Sequence, residues 1–268
     1  MKIITFQGGL GNQMFQYQFY LWLLTKTDDK IFGYYPKKGL KAHNGLEIER
    51  CFKNVSLPTT NSLINLIVKG IKLFNLIGVK YISTMSDLNI NRILFEDYWQ
   101  DLKFRNDFCF DFDSSNIIQN KKNLWVLDQI ITGNSVSLHV RRGDYLTEKY
   151  TKIYGTCSIE YYNNSIKYIL ESIDNPKFYI FSDECDWVKE NIKIPDATYI
   201  DWNTNSDSFI DMYLMSKCKH NIIANSSFSW WSAYNNFKEC KIVIAPKDWF
   251  VSSLFKEPDI FPNTCLRL

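Results

Sequence analysis

The sequence has 268 residues, enough for one large domain or two smaller ones. Its 31 Lys and Arg against 29 Asp and Glu give a formal charge of only +2, which excludes the clear basic excess typical of nucleic-acid binders. The 7 cysteines are scattered and never spaced as Cys-x-x-Cys. That pattern argues against a structural zinc site or a disulfide framework and favours a reducing compartment.

The chain begins with a strand, KIITF, followed by the glycine turn GGLGNQ and a helix. Gly9 and Gly11 allow close approach to the backbone, and Asn12 and Gln13 add two amide side chains at the helix start. The turn resembles a dinucleotide fingerprint, but Met14 stands where the third glycine belongs. We expect these glycines and amides to contact a substrate; a plain tight turn is the alternative.

The most apolar run covers residues 62–82, but Lys69, Lys72 and Lys80 interrupt it. No uninterrupted run reaches ~18 apolar residues, the usual length of a membrane span, and the first residues lack the apolar region of a signal peptide. The apolar residues go nearly all round the predicted helix, so we expect it to be buried rather than to lie on a membrane surface. These features predict a cytoplasmic protein with at most a peripheral contact to the inner membrane.

From residue 135 onward, strands alternate with helices in the pattern of a parallel, doubly wound sheet. The predicted strands are 135–140, 177–181, 197–201, 220–225 and 241–246, and the predicted helices are 158–173, 186–192, 208–218 and 226–236. Ser208 and Asp211 stand at capping-box positions. Residues 30–130 show mixed elements. We expect an α/β protein of two Rossmann-like lobes with parallel sheets facing a central cleft, divided as 1–130 and 131–268.

Polar residues follow several predicted strands at their carboxyl ends, the edge where ligands bind in open α/β sheets. These residues are Arg141, Arg142 and Asp144 after SVSLHV, Ser182, Asp183 and Glu184 after KFYIF, and Asn225, Ser226 and Ser227 after HNIIA. Because parallel strands end at the same edge, the sequence predicts that these side chains and helix starts converge on one ligand.

Within HVRRGDY, alternation along the strand places His139 and Arg141 on one face and Arg142 on the other. Arg141 is therefore the expected phosphate ligand, because a guanidinium donates two parallel, charge-assisted hydrogen bonds. A salt bridge between Arg142 and Asp144 is the structural alternative. Asp144 is also a candidate general base, since it carries a carboxylate beside the predicted site, or it orients one of the two arginines.

The segment NSSFSWW offers unpaired backbone N–H groups, two hydroxyls and the positive end of a helix dipole. Such a helix start binds a phosphate without a metal ion, and ordinary N-capping is the alternative. Asp183 or Glu184 is expected to hold the ribose or base of a nucleoside. Solvated carboxylates at a helix start are the alternative there.

Asp111, Phe112 and Asp113 form an Asp-x-Asp string of the kind that carries Mn²⁺ in many nucleotide-sugar transferases. The string lies in a poorly patterned stretch without a clear preceding strand, and such strings arise often by chance. His43 and His220 show no ligand spacing with carboxylates or cysteines. We therefore expect neither a metal nor a cofactor.

Six strings in chain order resemble bacterial α-1,2-fucosyltransferases of glycosyltransferase family eleven. They are GGLGNQMFQYQF, EDYWQ, HVRRGDY, YGTCSIEYY, FSDE and NSSFSWWSA, and together they span nearly the whole chain. The HxRRGD and NSSFSWW strings are the specific ones. One departure is Glu96-Asp97 before the string YWQ, where relatives often carry glycine; it concerns local details of the acceptor side.

The resemblance implies a GT-B-like fold, a GDP-fucose donor, inversion at the anomeric carbon and no metal. It implies an acceptor lobe at 1–130 and a donor lobe at 131–268. The implied acceptor is the 2-hydroxyl of a terminal β-galactosyl sugar in an oligosaccharide, surface polysaccharide or lipid-linked glycan. The residue roles it implies are Arg141 on the β-phosphate, His139 and Asp183 or Glu184 at the nucleotide, Asn12 near the reacting sugar, and Ser226, Ser227 and Phe228 along the diphosphate.

Three other functions remain open on the residues alone. Another GDP-sugar-dependent transferase would use the same anion site. A dinucleotide-dependent oxidoreductase would need the missing third glycine and an acidic residue suitably placed ~20 residues further on. A non-catalytic glycan-binding protein would use the aromatic residues, 16% of the chain, but would leave the arginine and serine anion site without a purpose.

Overall fold

The structure, a computed structural model, describes residues 1–41 and 43–268. The chain divides into two compact units, Met1–Asp113 and Ser114–Leu268. The boundary therefore lies at residue 113 and not after residue 130. Sequence patterning placed it too late because the helices between 115 and 132 carry no strand signal. These helices pack with the second unit, against the strand that starts at Ser135.

The first unit holds a four-stranded, fully parallel sheet in the order β2-β1-β4-β3. Its strands are β1 Lys2–Thr5, β2 Ile31–Tyr34, β3 Ile82–Ser83 and β4 Leu94–Phe95. Its helices are α1 Leu10–Leu24, α2 Lys37–Lys41, α3 Ile48–Cys51 and α4 Ser62–Leu76, with a 3₁₀ turn at Leu102–Phe104. Residues after β1 and after β4 thus meet at one edge of the sheet.

Helix α1 is buried over most of its first ten residues and not along a single stripe. Met14 and Tyr17 are buried, whereas Leu24 at the end of the helix is half exposed. The ring of Phe19 stacks on Trp99 with centroids 3.7 Å apart. Aromatic packing of this kind holds the start of α1 against the segment that follows β4.

Helix α4 contradicts the prediction of a buried helix. Only Ile64, Val68 and Ile71 are buried, in a cluster with Ile3 of β1 and Leu94 of β4. The apolar side chains on the other side of the helix are exposed. The sequence pattern could not distinguish these faces because both of them are apolar. Among the described residues, no helix has the length and hydropathy needed to cross a bilayer.

The second unit holds a six-stranded, fully parallel sheet in the order β7-β6-β5-β8-β9-β10. Its strands are β5 Ser135–Val140, β6 Lys177–Ser182, β7 Thr198–Ile200, β8 His220–Ile222, β9 Val243–Ala245 and β10 Leu266–Arg267. Its helices are α5 Ser115–Gln119, α6 Lys121–Thr132, α7 Glu148–Thr151, α8 Ile159–Ser172, α9 Cys185–Asn191, α10 Phe209–Lys217 and α11 Ser227–Tyr234. Two 3₁₀ turns lie at Gly143–Leu146 and Asn205–Asp207.

This order confirms the predicted doubly wound parallel sheet. The chain leaves β5 towards β6 and β7, then returns to the other side of β5 for β8, β9 and β10. All six residues of β5 are buried, as expected for a strand covered on both faces. The strand order therefore reverses between β5 and β8, which is where nucleotide ligands bind in folds of this class.

The predicted capping box at the start of α10 is wrong. Ser208 makes no side-chain capping bond, and the Asp211 carboxylate accepts a hydrogen bond from Asn203 Nδ2 at 2.7 Å. Asn203 also contacts Asn123, so Asp211 joins a buried amide network. Burial raises the pKa of Asp211 to about 8, an effect that the hydrogen bond from Asn203 partly offsets.

Candidate active site

The polar segments predicted to converge do so at the carboxyl edge of the second sheet. Strand β5 pairs in parallel with β6 on one side and β8 on the other, so the residues that follow these three strands share one edge. The hydroxyl of Tyr145 donates to the carbonyl of Asn225 at 3.1 Å and ties the segment after β5 to the segment after β8. The site therefore lies at the point where the strand order reverses.

Arg141, which follows β5, is held between two carboxylates. Its guanidinium lies 2.7 Å from Asp144 Oδ1 and 2.9 Å from Asp183 Oδ2, and its side chain is 30% exposed. The guanidinium also lies 5.8 Å from the centre of the Tyr145 ring. The two acids restrict the direction of the guanidinium while leaving part of it open to a ligand.

Arg142 is more deeply buried, with a side chain that is 16% exposed. Its guanidinium stacks on the ring of Trp187 at 3.6 Å, and its Nε donates to Glu184 Oε2 at 3.0 Å. The backbone N–H of Arg142 donates to Asp183 Oδ1 at 3.0 Å. The predicted alternative of an Arg142–Asp144 salt bridge is wrong, because it is Arg141 that pairs with Asp144.

Two guanidinium groups and three carboxylates make up this cluster, so its formal charge is 2 − 3 = −1. The cluster consequently offers both directed donors for phosphate oxygens and acceptors for ribose hydroxyls or base N–H groups. Gly143 is required by this packing, since a Cβ there would lie 2.5 Å from Asp183 Oδ2. Ser182 has a local role: its hydroxyl accepts the backbone N–H of Glu184 at 2.9 Å.

Helix α11 begins at the same edge without a side-chain cap. Its N-cap residue, Ser226, has an extended backbone and makes no capping hydrogen bond. Ser226 is buried, whereas Ser227 and Phe228 are partly exposed. The first-turn N–H groups and the helix dipole therefore favour an anion at this position, as the sequence predicted for a phosphate.

Asn225, however, does not present its side chain to a ligand. It is 3% exposed, and its Nδ2 donates to the carbonyls of Tyr154, Gly155 and Trp249 at 2.9, 3.2 and 3.3 Å. Its Oδ1 accepts from Cys157 Sγ at 3.5 Å. The hydrogen-bonding groups of Asn225 hold the surrounding loops, so its predicted contact with substrate stays a prediction that these bonds do not support.

His139, the fifth residue of β5, lies beside the start of α11. Its ring centre is 5.9 Å from that of Phe228, and the residue is 6% exposed. Burial, aided by the charge of Arg141, lowers the pKa of His139 to about 3. Within the described residues, its Nδ1 has no hydrogen-bond partner. The His139 imidazole is therefore neutral. It presents a largely apolar ring surface at this edge, with Nδ1 as its polar atom.

In the first unit, the turn after β1 places glycine where the backbone requires it. Gly8 has a φ of +78°, a conformation that favours glycine, and was not singled out by sequence reasoning. Gly9 is the N-cap of α1 and makes no capping bond. A Cβ on Gly9 would lie 3.4 Å from His43 Nδ1, an ordinary contact, and Gly11 is buried in the first turn of the helix.

Gln13 braces this turn and does not face a ligand. It is completely buried: its Nε2 donates to the carbonyls of Gly8 and Gly45 at 2.9 and 2.8 Å. Its Oε1 accepts the N–H groups of Glu47 and Ile48 at 2.9 and 3.2 Å. All the hydrogen-bonding groups of the amide are thus used within the unit, so its predicted contact with substrate stays a prediction that these bonds do not support.

Asn12 is the partly exposed amide of the pair. Its Oδ1 accepts from Gln100 Nε2 at 3.0 Å, which joins the residues after β1 to those after β4 at the edge of the first sheet. This contact engages the Oδ1 end of the Asn12 amide and fixes its orientation. Sequence reasoning did not single out Gln100, Tyr145 or Trp187. Gln100 and Tyr145 had a signal, their places at the ends of the EDYWQ and HVRRGDY strings, whereas Trp187 had none.

The Asp-x-Asp string has a structural role in the first unit. The carbonyl of Asp111 accepts from Lys53 N, and the N–H of Asp113 donates to Cys51 O, both at 2.8 Å. These bonds flank an antiparallel bridge between Phe52 and Phe112. Across the part of the chain that the structure describes, no cluster of three His, Cys, Asp or Glu side chains is arranged to hold a metal ion.

The sequence matches the model of the Glycosyl transferase family 11 over residues 1–264. It is also 32% identical to an alpha-1,2-colitosyltransferase of Escherichia coli, over 97% of this chain and 96% of the relative. The chain belongs to glycosyl transferase family 11. This membership confirms the resemblance seen in the motif strings, and it makes the chain a glycosyltransferase.

A second relative of this family 11 chain is the O-antigen biosynthesis glycosyltransferase WbnK of Escherichia coli, 42% identical over 45% of this chain and 40% of the relative. Among solved structures, the fucosyltransferase NodZ from Bradyrhizobium is similar with a TM-score of 0.52 and 13% identity. That likeness covers 87% of this chain and 91% of NodZ. It supports the fold alone: two α/β units with parallel sheets, the GT-B-like class that the sequence predicted.

Proposed function

We propose that this family 11 glycosyltransferase moves L-fucose from GDP-β-L-fucose to the 2-hydroxyl of a terminal β-galactosyl sugar. The reaction inverts the anomeric carbon and gives an α-1,2-fucoside. Family membership supports the transfer of a fucose-like sugar, and the full-length relative carries the α-1,2 linkage in its name. The acceptor belongs to an oligosaccharide, a surface polysaccharide or a lipid-linked glycan.

The observation that carries this proposal is the anion site at the strand-order reversal of the second sheet. Arg141, oriented by two carboxylates, and the uncapped start of α11 lie on the neighbouring strands β5 and β8. In the proposal, Arg141 binds the β-phosphate, and the first turn of α11 from Ser226 to Phe228 lines the diphosphate. The second unit is then the donor unit, and the first is mainly the acceptor unit.

The proposed chemistry follows from the charge that develops during transfer. The acceptor hydroxyl attacks the anomeric carbon and releases its proton to solvent, while the bond from that carbon to the β-phosphate oxygen breaks and GDP departs, through an oxocarbenium-like transition state. Negative charge grows on the leaving diphosphate, so donors already fixed there stabilise the transition state more than the ground state. With a guanidinium and a helix start in these roles, the proposal includes no metal and no cofactor other than the donor.

The remaining residues receive roles that match their contacts. Asp183 and Glu184 accept hydrogen bonds from the ribose or base while holding the two arginines, and Arg142 supports this wall through its stacking on Trp187. His139 contributes a neutral surface beside the nucleotide. Asn12 donates through Nδ2 to the reacting sugar, from an amide that Gln100 orients.

Asp144, the candidate general base, has a carboxylate that already pairs with Arg141, which makes it a poor proton acceptor. We propose that it orients Arg141 for the phosphate. Asp144→Asn should then lower kcat and leave the shape of the pH–rate profile unchanged. Loss of an acidic limb from that profile, with binding of GDP intact, would instead assign the base role to Asp144.

The name of the full-length relative raises a specific alternative for the donor. Colitose is fucose without its 3-hydroxyl group, so the two donors test whether a polar group of the site contacts that hydroxyl. A site built to bind the hydroxyl discriminates against the analogue lacking it by roughly 10⁴-fold or more. We expect GDP-fucose to be preferred; a preference for GDP-colitose would retain the transferase and replace its donor.

The decisive experiment incubates the protein with GDP-fucose and a panel of galactosides, with and without EDTA, and determines the linkage of the product. The expected result is an α-1,2-fucoside formed at equal rates with and without the chelator. Release of GDP with no product, or activity lost on chelation and restored by a divalent ion, would contradict the proposal. The proposal includes a cytoplasmic location, which the seven unbridged cysteines support.

A further inference from the structure

Helix α4 presents a continuous apolar surface to the solvent, on the side away from the core of the first unit. We call it the α4 face, and its members are Leu63, Leu66, Leu73, Phe74, Leu76 and Ile77. These side chains are between 51% and 82% exposed. Isolated exposed leucines are normal, but six large apolar side chains on one helix make a patch that monomeric proteins rarely leave without a function.

The spacing shows that the α4 face is a helical stripe. Leu63, Leu66, Leu73 and Ile77 are separated by three, seven and four residues, with Gly70 in the same row, so their side chains lie above one another along the helix. The opposite stripe, Ile64, Val68 and Ile71, packs on the sheet. The helix is thus fixed to the protein by one apolar side and offers a second one outward. Val79 and Tyr81, both exposed, extend the surface beyond its end.

The charged residues of the chain segment that carries the α4 face are all lysines. From Cys51 to Ser86 the sequence contains four lysines and no Asp or Glu. Lys72 pairs with Glu96 at 2.6 Å, which neutralises that position. Lys69 and Lys80 are exposed beside the apolar stripe. Their long side chains can lie along apolar surface while the ammonium groups reach an anionic layer.

We propose that the α4 face binds the anionic surface of a lipid bilayer, with its apolar side chains in the headgroup region and Lys69 and Lys80 on lipid phosphates. An apolar stripe flanked by lysines is the pattern of helices that lie in the plane of a membrane interface. Helix α4 cannot span the bilayer while attached to the unit: its 15 residues cover only about 22 Å, and one side is packed on the sheet.

The charge pattern favours a bilayer over a second copy of the chain. A two-fold interface would bring the same surface of both copies together. Lys69 and Lys80 would then face residues of the same segment in the other copy, which has no acidic residues between 51 and 86 to pair with them. Paired helices normally carry opposite charges beside an apolar seam. An anionic lipid layer satisfies the lysines and the apolar stripe together.

The test uses the full chain and vesicles of pure phosphatidylcholine or of phosphatidylcholine with phosphatidylglycerol. We expect the protein to sediment with the anionic vesicles and much less with the zwitterionic ones. Raising the salt from about 0.05 M to about 0.5 M should release most of it, because the screening length falls well below the protein size. No sedimentation with anionic vesicles would overturn the proposal.

Variants distinguish binding through the α4 face from non-specific adsorption to vesicles. Leu73→Glu with Ile77→Glu should weaken binding to anionic vesicles about tenfold or more, and Lys69→Gln with Lys80→Gln should weaken it on anionic vesicles only. Leu254→Glu is the matched control, since Leu254 is 90% exposed in the other unit, and it should bind like the unaltered protein. All of these positions are exposed, so melting temperatures should agree.

Two outcomes would overturn the inference even if sedimentation is seen. One is an equal loss of vesicle binding in the Leu254 variant, which would mean that a negative charge added anywhere on the surface weakens binding. The other is a concentration-dependent dimer in sedimentation velocity that the Leu73 and Ile77 substitutions abolish while vesicle binding persists. That result would assign the α4 face to a second copy. Neither outcome depends on the donor or acceptor of the transferase reaction.

Discussion

The two units share one arrangement of strands and helix starts at the edge of their sheets, but the side chains at that edge differ in charge. In each, the strand order reverses beside a central strand, β1 in the first unit and β5 in the second, and a helix without a side-chain cap begins at that edge. In the first unit the edge holds the neutral amides of Asn12 and Gln100. In the second it holds two arginines within a network of carboxylates.

Under the proposed function, this difference adapts one architecture to two kinds of ligand. Neutral amides exchange single hydrogen bonds with hydroxyl groups, which suits a sugar. Guanidinium groups and a helix dipole suit the charge of a diphosphate. Each edge also uses one fully engaged amide, Gln13 or Asn225, to hold the backbone in place. The ligand-binding atoms therefore rest on a braced turn in both units.

The largest expected effect comes from removing the charge of the second unit. Arg141→Ala should lower kcat by about 10²–10³-fold, about 3–4 kcal/mol of transition-state stabilisation, because a directed donor on the leaving phosphate is lost. Arg141→Lys should recover only part of it, since an ammonium lacks the planar pair of donors. GDP release with a galactoside acceptor measures both. Near-full turnover in the alanine variant would remove Arg141 from this role, and Lys189→Ala serves as a surface control.

The bracing amides should act on stability in both units alike. Gln13→Ala and Asn225→Ala each leave several buried backbone groups without partners, so the free energy of unfolding should fall by about 3 kcal/mol in each case. Urea unfolding measures this, with the partly exposed Gln129→Ala as control. A variant that keeps its stability but loses substrate affinity would show that the amide contacts the ligand after all.

The dependence of the free energy of unfolding on pH tests the second unit alone. The folded protein holds the pKa of His139 at about 3, below its ordinary value of 6.5. The unfolded chain therefore takes up a proton below pH 6.5 that the folded chain does not, and stability is complete above 6.5 and falls as the pH drops towards 3. Between pH 7.5 and 5 this amounts to about 2 kcal/mol.

The comparison that isolates this effect is His139→Gln. Unfolding by urea at several pH values should give a smaller loss of stability on acidification for the variant than for the unaltered protein. Parallel curves for the two proteins would mean that the imidazole titrates normally in the folded state and that the edge is more open than the structure shows.

The smallest effect is expected at the neutral edge. Asn12→Ala removes one hydrogen bond to an uncharged group, so kcat/KM should fall by about tenfold, corresponding to about 1.4 kcal/mol. For Gln100→Ala, kcat/KM should fall by less, because the Gln100 side chain only orients Asn12. If Asn12→Ala proved as damaging as Arg141→Ala, the contrast between a charged and a neutral edge would fail.

Local pattern was sufficient for strands β5 to β9 and helices α8 to α11 of the second unit, but not for α5, α6, α7 and β10. Strand β5 was predicted to the residue, and α8 begins after Ser158, whose hydroxyl caps Tyr161 N at 3.0 Å. The motif strings fixed the family, and the expected segments do meet at one edge. These predictions succeed because strand alternation, helical periodicity and capping depend on residues close in the chain.

The sequence by itself determined the family, the parallel α/β class and the convergence of Arg141 with the start of α11. Only the tertiary structure decided that Arg141 pairs with Asp144 and Asp183, that Gln13 and Asn225 face inward, and that one apolar side of α4 faces the solvent. These outcomes depend on which strands are neighbours and which surface is covered, and residues distant in the chain supply both.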